Sequence, residues 1–236
     1  MIMMTKMYDT LTAGLPELGL ELTEEQAKTL CAFGEAVVKQ NEVMNLTAIT
    51  EPDQVAKLHL LDSLTVAKTA PLAGKRLIDV GCGAGFPGVP LKIACPDAEV
   101  TLLDSLGKRV AWLEQILPQL GVQTTCVTAR AEEYAAKHRE EFDYATSRAV
   151  ARLNILLELT APFVKVGGAV LAMKGAAARE ELEDAKNAIS KLGLKLETIA
   201  DYPMDGTNHS VLVLRKIKPT PAQYPRRFAK IKQNPL

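Results

Sequence analysis

The chain has 236 residues, with 28 basic and 28 acidic side chains, a formal net charge of zero and 47% hydrophobic residues. That length suits one sizeable domain with a small extension, and the neutral balance excludes a global attraction to nucleic acid, so any such contact must come from local clusters. Cys31, Cys82, Cys95 and Cys126 form no C-x-x-C pair and have no histidine at metal spacing, which predicts free thiols and no metal site; no run approaches the about 18 apolar residues of a membrane span, and a soluble cytoplasmic protein is expected.

The first elements read as helices. Thr23 and Gln26 stand at capping-box spacing ahead of Ala27, Leu30, Cys31, Gly34, Val37 and Val38, which recur at helical intervals. Residues 45–50, "NLTAIT", read as a short extended link. A second helix spans 50–70, opened by Pro52, with Val55, Leu58, Asp62, Thr65 and Val66 on one side.

Strands and helices then alternate. Strands are predicted at 76–81, 99–104, 123–128, 142–149 and 167–175, with helices beginning near Gly88, Gly107, Ala131 and Leu153. This is the signature of βαβ units and a parallel sheet. One helix is predicted between Gly175 and Gly193, with Glu180, Glu181, Glu183 and Asp184 on a solvated face. Residues 194–204 and 210–218 are joined by "DGTNH" with no helix between, so the last two strands form an antiparallel hairpin. The fold class is therefore α/β: a Rossmann-like, mostly parallel seven-stranded sheet with a C-terminal antiparallel hairpin. Residues 1–72 form an N-terminal helical extension capping the cleft, 73–218 the ligand-binding domain and 219–236 a basic tail. Dinucleotide dehydrogenases usually add a second catalytic domain after six parallel strands, for which this chain has no room.

The stretch "RLIDVGCGAGFPGVPLKIA" carries the chemistry. Gly81, Gly83, Gly85 and Gly88 follow a strand and open a helix, where glycine permits positive φ or close approach of a ligand. Gly83-x-Gly85-x-x-Gly88 spells the dinucleotide motif; Gly81-x-Gly83-x-Gly85 spells that of S-adenosylmethionine (AdoMet) methyltransferases. Asp79 favours the second: an acid there would oppose a pyrophosphate but suits a sulfonium and an α-ammonium. Asp104, followed by Ser105, ends the next strand, where an acid takes ribose hydroxyls in either cofactor class. Ala131 and Glu132 stand where a methyltransferase grips adenine. Phe86 either packs against the cofactor or belongs to the core.

With these residues in view, the sequence resembles one family. "NLTAIT", "HLLDSL", "IDVGCGAGFPGVPLKI", "RAEE", "FDYATSRAVARL" and "PFVKVGGAVLAMKG" occur in the order seen in the RsmG (GidB) family, from about Leu22 to the C-terminus. The resemblance implies a class I AdoMet-dependent methyltransferase that modifies N7 of a guanine in the 530 loop of 16S ribosomal RNA, acting on that RNA or on the small ribosomal subunit, as a monomer. It implies cofactor contacts at Gly81, Phe86, Asp104, Ala131, Glu132 and Arg148. The sequence departs from the family where Leu58, not a basic residue, precedes His59, and where the tail lacks Gly-Thr-Pro.

Methylating N7 removes no proton, so no general base is expected; the work is alignment of donor and acceptor, worth up to about 7–11 kcal/mol. Positioning is assigned to Arg148, Asn45 and Lys174, with a strand-end ion pair as the alternative for Arg148. Asp62 is expected to cap or orient His59. RNA contacts are assigned to His59, Lys174, Arg215, Arg226, Arg227 and Lys230, with Lys216, Lys218 and Lys232 as further cations and Tyr224 and Phe228 as stacking rings; the alternatives are a half-buried structural role for His59 and a disordered, solvated tail. A class I methyltransferase with another RNA, protein or small-molecule substrate, and a non-catalytic RNA-binding assembly factor, remain open alternatives.

Overall fold

The computed structural model describes residues 2–236, so the first residue of the expected helical extension lies outside it. Seven strands form one sheet: β1 (Arg76–Val80), β2 (Glu99–Asp104), β3 (Thr125–Thr128), β4 (Phe142–Arg148), β5 (Val164–Lys174), β6 (Leu194–Met204) and β7 (Thr207–Lys216). Their order is β3-β2-β1-β4-β5-β7-β6. The first five run parallel, and β7 lies antiparallel to both β5 and β6. The strand order reverses between β1 and β4, the switch point where doubly wound sheets open a crevice beyond their strand ends.

Apolar side chains fill both faces. One face packs Leu77, Val100, Leu102 and Leu171 against Val89, Leu91, Trp112 and Leu113; the other packs Ile78, Phe142, Ala145 and Val170 against Leu153, Leu156, Leu157 and Phe163. The N-terminal helices, Ile2–Gly14 and Glu24–Met44, join the first of these cores through Met7, Leu11, Leu30 and Phe33. They form part of the layer beside the sheet. The Thr23–Gln26 capping box is formed, and Gln26 also donates to the carbonyls of Ile93 and Ala94 at 3.0 and 3.1 Å, tying this layer to the glycine-loop helix.

Four expectations are corrected. The helix predicted over 50–70 keeps Pro52 in its first turn, but its pitch widens to a π-helix over Ala56–Leu61 before tightening at Thr65–Lys68. Such widening is frequent at functional sites. The helix predicted after Gly175 is broken at Ala185 into Ala178–Asp184 and Lys186–Lys191. Its acidic face is also not simply solvated: Glu181 pairs with Lys174 and accepts from the Leu153 amide, while Glu180 and Asp184 hold Arg152. The hairpin turn is shorter than "DGTNH". Only Asp205 (φ 48) and Gly206 (φ 78) link β6 to β7, as expected for an Asp-Gly pair with φ positive at both positions.

The tail docks on the domain. Tyr224 and Ile231 are buried, Arg139 donates to the carbonyls of Thr220 and Tyr224, and a short helix spans Phe228–Gln233. Arg226 donates its backbone and side-chain N–H groups to the fully buried Glu158 at 2.6–2.9 Å. Removing one partner of such a pair leaves a desolvated charge, at a cost of about 3–5 kcal/mol. Glu158→Ala is therefore expected to lower the unfolding midpoint by roughly 10 °C and to open the tail to proteolysis at Arg226–Arg227. Calorimetry and limited digestion check this; an unchanged midpoint would mean that the pair contributes little to the fold.

Candidate active site

The crevice at the carboxyl ends of β1, β2 and β4 holds a cavity of about 470 Å³, within the range of small-molecule and cofactor sites. Its floor is the loop after β1. Gly81 and Gly83 line it with φ of 73° and 56°, and a Cβ on Gly81 would collide with Val150. Gly85 (φ 97°) also adopts the left-handed conformation, but it faces the core: a Cβ there would lie 3.0 Å from Phe33 and 2.8 Å from Val89. Gly85 is thus a packing residue, correcting its assignment as a cofactor contact.

Asp79 does not line the cavity either. It lies fully buried behind the loop, where Oδ2 accepts the Gly88 amide at 2.8 Å and closes the loop onto the following helix. Its Oδ1 is the one buried side-chain polar atom without a hydrogen-bond partner among the described residues. Burial raises the carboxyl to about 7. An unsatisfied buried carboxylate oxygen beneath the cavity floor fits a cationic ligand above it and would repel a pyrophosphate.

Asp104 ends β2 on the cavity wall. Its two oxygens accept the Gly83 amide at 2.9 Å and the Leu106 amide at 2.8 Å, which fixes the carboxylate and braces the glycine loop. Ionised carboxylates have about four lone-pair sites, so acceptor capacity remains for hydroxyls. Ser105, Ala131 and Glu132 line the same cavity, together with Ala129, Arg109 and Arg130. Phe228, from the docked tail, closes the rim with the Arg130 guanidinium 4.6 Å from its ring centroid.

Phe86 lies between the core and the cavity. It is core-buried against Phe33, at 5.3 Å between ring centroids, yet it lines the cavity. His59 stacks on it at 4.7 Å, and the Arg148 guanidinium lies 5.0 Å from its centroid. Arg148 donates to the Leu58 carbonyl at 2.8 Å and to Asp62 at 3.1 Å, and its Nη2 lies 3.2 Å from His59 Nδ1. Nδ1 also lies 3.1 Å from the Leu58 carbonyl, but arginine has only donors, so the tautomer that suits Arg148 has Nδ1 accepting from it and Nε2–H donating to Thr47 Oγ1 at 2.7 Å. Burial, then Arg148, lowers the His59 imidazole to about 4, which keeps it neutral. Asp62 therefore does not orient His59; Thr47 and Arg148 do. Thr47, inside the quoted "NLTAIT", is a site residue that sequence reasoning passed over, because a lone threonine in a link carries no pattern.

A second cavity of about 780 Å³ adjoins the first; Leu46, His59, Arg148, Ala149 and Val150 line both. Lys174 lines the second, but its amine is buried, paired with Glu181 at 2.8 Å and donating to the Ala151 carbonyl at 2.6 Å. Asn45 lines neither cavity; it caps helix Glu24–Met44 in a left-handed conformation (φ 50°). Other expected RNA contacts are already committed: Arg215 forks onto Glu197, Arg226 onto Glu158, and Lys216 is buried on the carbonyls of Ala161 and Val164. Tyr224 is buried and offers no stacking face. Arg227 and Lys230 remain exposed beside Phe228.

Residues 26–208 match the model of the GidB family, described as rRNA small subunit methyltransferase G. The chain is 44% identical over 237 residues to ribosomal RNA small subunit methyltransferase G of Alkaliphilus oremlandii, covering 98% of this chain and 99% of that protein. It is 43% identical over 229 residues to that of Alkaliphilus metalliredigens, covering 94% and 96%. Among solved structures, TYW2 of M. jannaschii in complex with AdoMet superposes with a TM-score of 0.56 at 15% identity, over 67% of this chain and 76% of that one, a likeness of fold alone. Among the described residues no helix is long and apolar enough to cross a membrane. With the family model matching most of its length and these relatives matching nearly all of it, the chain belongs to the GidB family of rRNA small subunit methyltransferases.

Proposed function

We propose that the protein transfers a methyl group from AdoMet to N7 of a guanine in the 530 loop of 16S rRNA, without a general base. The observation that carries this reading is the pair of adjoining cavities divided by Arg148 and His59, one bounded by the glycine loop and Asp104, the other open to a second reactant. AdoMet supplies an electrophilic methyl group on a sulfonium. Asp104 takes ribose hydroxyls, Ala131 and Glu132 flank adenine, and Asp79 balances the cofactor's positive charge from below the loop. The N-terminal helical layer, through Leu46, Thr47 and His59, caps the cleft.

N7 presents an unshared pair, so the protein's task is orientation. The residues between the cavities suit that task. His59 is neutral with both ring nitrogens engaged, so it neither adds charge beside a purine turning cationic nor stands ready to take a proton. Arg227, Lys230 and Phe228 supply phosphate contact and stacking at the rim. Labelled methyl transfer to small subunits lacking the modification, against naked rRNA, tests the reading. Transfer only to some other acceptor would replace it.

Asp79 makes cofactor binding depend on pH. In the free protein its carboxyl titrates near 7, whereas a bound cation favours the ionised form and releases a proton. AdoMet affinity is therefore expected to strengthen as pH rises from about 5 to about 7, by up to tenfold per pH unit, and then to level. Asp79→Asn should flatten the profile. Calorimetry across pH measures it; a flat wild-type profile would remove Asp79 from cofactor binding.

A further inference from the structure

Asp62 and His209 are not explained by cofactor binding, yet they meet on the wall of the second cavity, against Arg148. Asp62 is 4% exposed and belongs to the N-terminal helical layer, immediately after the π-helical turn. Its Oδ2 accepts from Arg148 Nη1 at 3.1 Å, and its Oδ1 pairs with His209 Nδ1 at 2.8 Å. One carboxylate thus joins three elements: the helical layer, the end of β4, and β7 of the hairpin. Asp62, His209 and Arg148 line the second cavity; only Arg148 also lines the first.

The donor count on Arg148 shows what this junction does. Nη1 gives its two protons to the Leu58 carbonyl and Asp62, and Nη2 gives one to His59. The second Nη2 proton and the Nε proton have no hydrogen-bond partner among the described residues, on a guanidinium that borders both cavities. Which way they point depends on the rotation of the guanidinium plane over Phe86. Leu58 and His59 fix it from the helical layer. Asp62 also contributes from that layer, but half of its hydrogen bonding comes from the hairpin through His209. Lys57 and Asp205, 3.6 Å apart, form a further ion pair between these two parts.

We propose that Asp62 and His209 are positioning residues for methyl transfer, which hold Arg148 in the orientation that directs its free donors to the acceptor side. This rests on the methyltransferase reading above and deepens it by extending the acceptor site to the sheet's last hairpin. The charged groups facing His209 are Asp62 from the helical layer and Arg148 from β4. The hydrogen bond that His209 Nδ1 donates to the Asp62 carboxylate raises the His209 imidazole above its usual range, and the same carboxylate accepts from Arg148. The hairpin then bears on Arg148 through a charge-assisted bond.

The test compares His209→Ala, His209→Asn and Asp62→Asn in the full chain, with small subunits lacking the modification as acceptor. Asparagine retains a donor near the position of Nδ1. His209→Ala is expected to lower kcat by about tenfold, the equivalent of one hydrogen bond to a charged group, while AdoMet affinity and the unfolding midpoint hold. His209→Asn should recover most of that rate, and Asp62→Asn should lose at least as much as His209→Ala. In an Arg148→Ala background, His209→Ala should have no further effect on kcat. A wild-type rate in His209→Ala, or an undiminished loss in the Arg148→Ala background, would overturn the proposal. A wild-type protein that transfers nothing to small subunits would instead reject the parent reading, because that measurement does not involve the variants.

Discussion

Arg148→Ala is expected to reduce kcat for methyl transfer by about 10²–10³-fold, the range seen when one preorganised donor is removed from a reacting centre. The guanidinium occupies the wall shared by both cavities, stacked on Phe86 and held by Leu58, Asp62 and His59. Its loss leaves the 4%-exposed Asp62 with His209 as its remaining hydrogen-bond partner. Arg148→Lys should stay at least tenfold below wild type, because an ammonium cannot reproduce a planar fork that serves three acceptors while lying on a ring. Steady-state kinetics at saturating AdoMet, with circular dichroism to confirm folding, measure the effect. A fully active Arg148→Ala would leave Arg148 as a strand-end ion pair.

Asp104→Ala should raise the AdoMet dissociation constant by about 100-fold or more. Two charge-assisted bonds to ribose hydroxyls would be lost, each contributing roughly 1.5–3 kcal/mol. The amides of Gly83 and Leu106 would also lose their acceptor, loosening the glycine loop. Asp104→Asn should fall between, since one carbonyl oxygen remains to accept. Titration calorimetry distinguishes the three proteins, and wild-type affinity in Asp104→Ala would place the ribose elsewhere.

Much of the fold was legible because its signals are local. The strand at Arg76–Val80, the helix starts at Gly88, Gly107, Ala131 and Leu153, and the closing hairpin each follow from short-range periodicity and turn chemistry. The Asp-Gly pair at 205–206 names its own turn. The π-helical turn at Ala56–Leu61 and the break at Ala185 were not legible, since each depends on how the segment packs. The same boundary runs through the site. Gly81, Gly83, Asp104 and Ala131 were found because spacing after a strand places them at the crevice. Gly85 and Asp79 share that spacing but face the core instead of the cavity, a local direction of the chain that a motif does not carry. Charge was the poorest guide: Lys174, Arg215, Lys216 and Arg226 read as a surface for RNA, and each is matched to a carboxylate or carbonyls on another element of the fold. His209 was invisible because its partner, Asp62, lies 147 residues away.

We propose that the two cavities bring a methyl donor to N7 of a guanine in the 530 loop, and chemical mapping of the product decides whether they do. Small subunits lacking the modification are incubated with the protein and AdoMet, and the rRNA is treated with borohydride and aniline, which cleave the chain at N7-methylguanosine. Cleavage at one guanine of the 530 loop, absent without AdoMet and lost with Arg148→Ala, is the predicted result. Methyl incorporation without cleavage there would contradict the account.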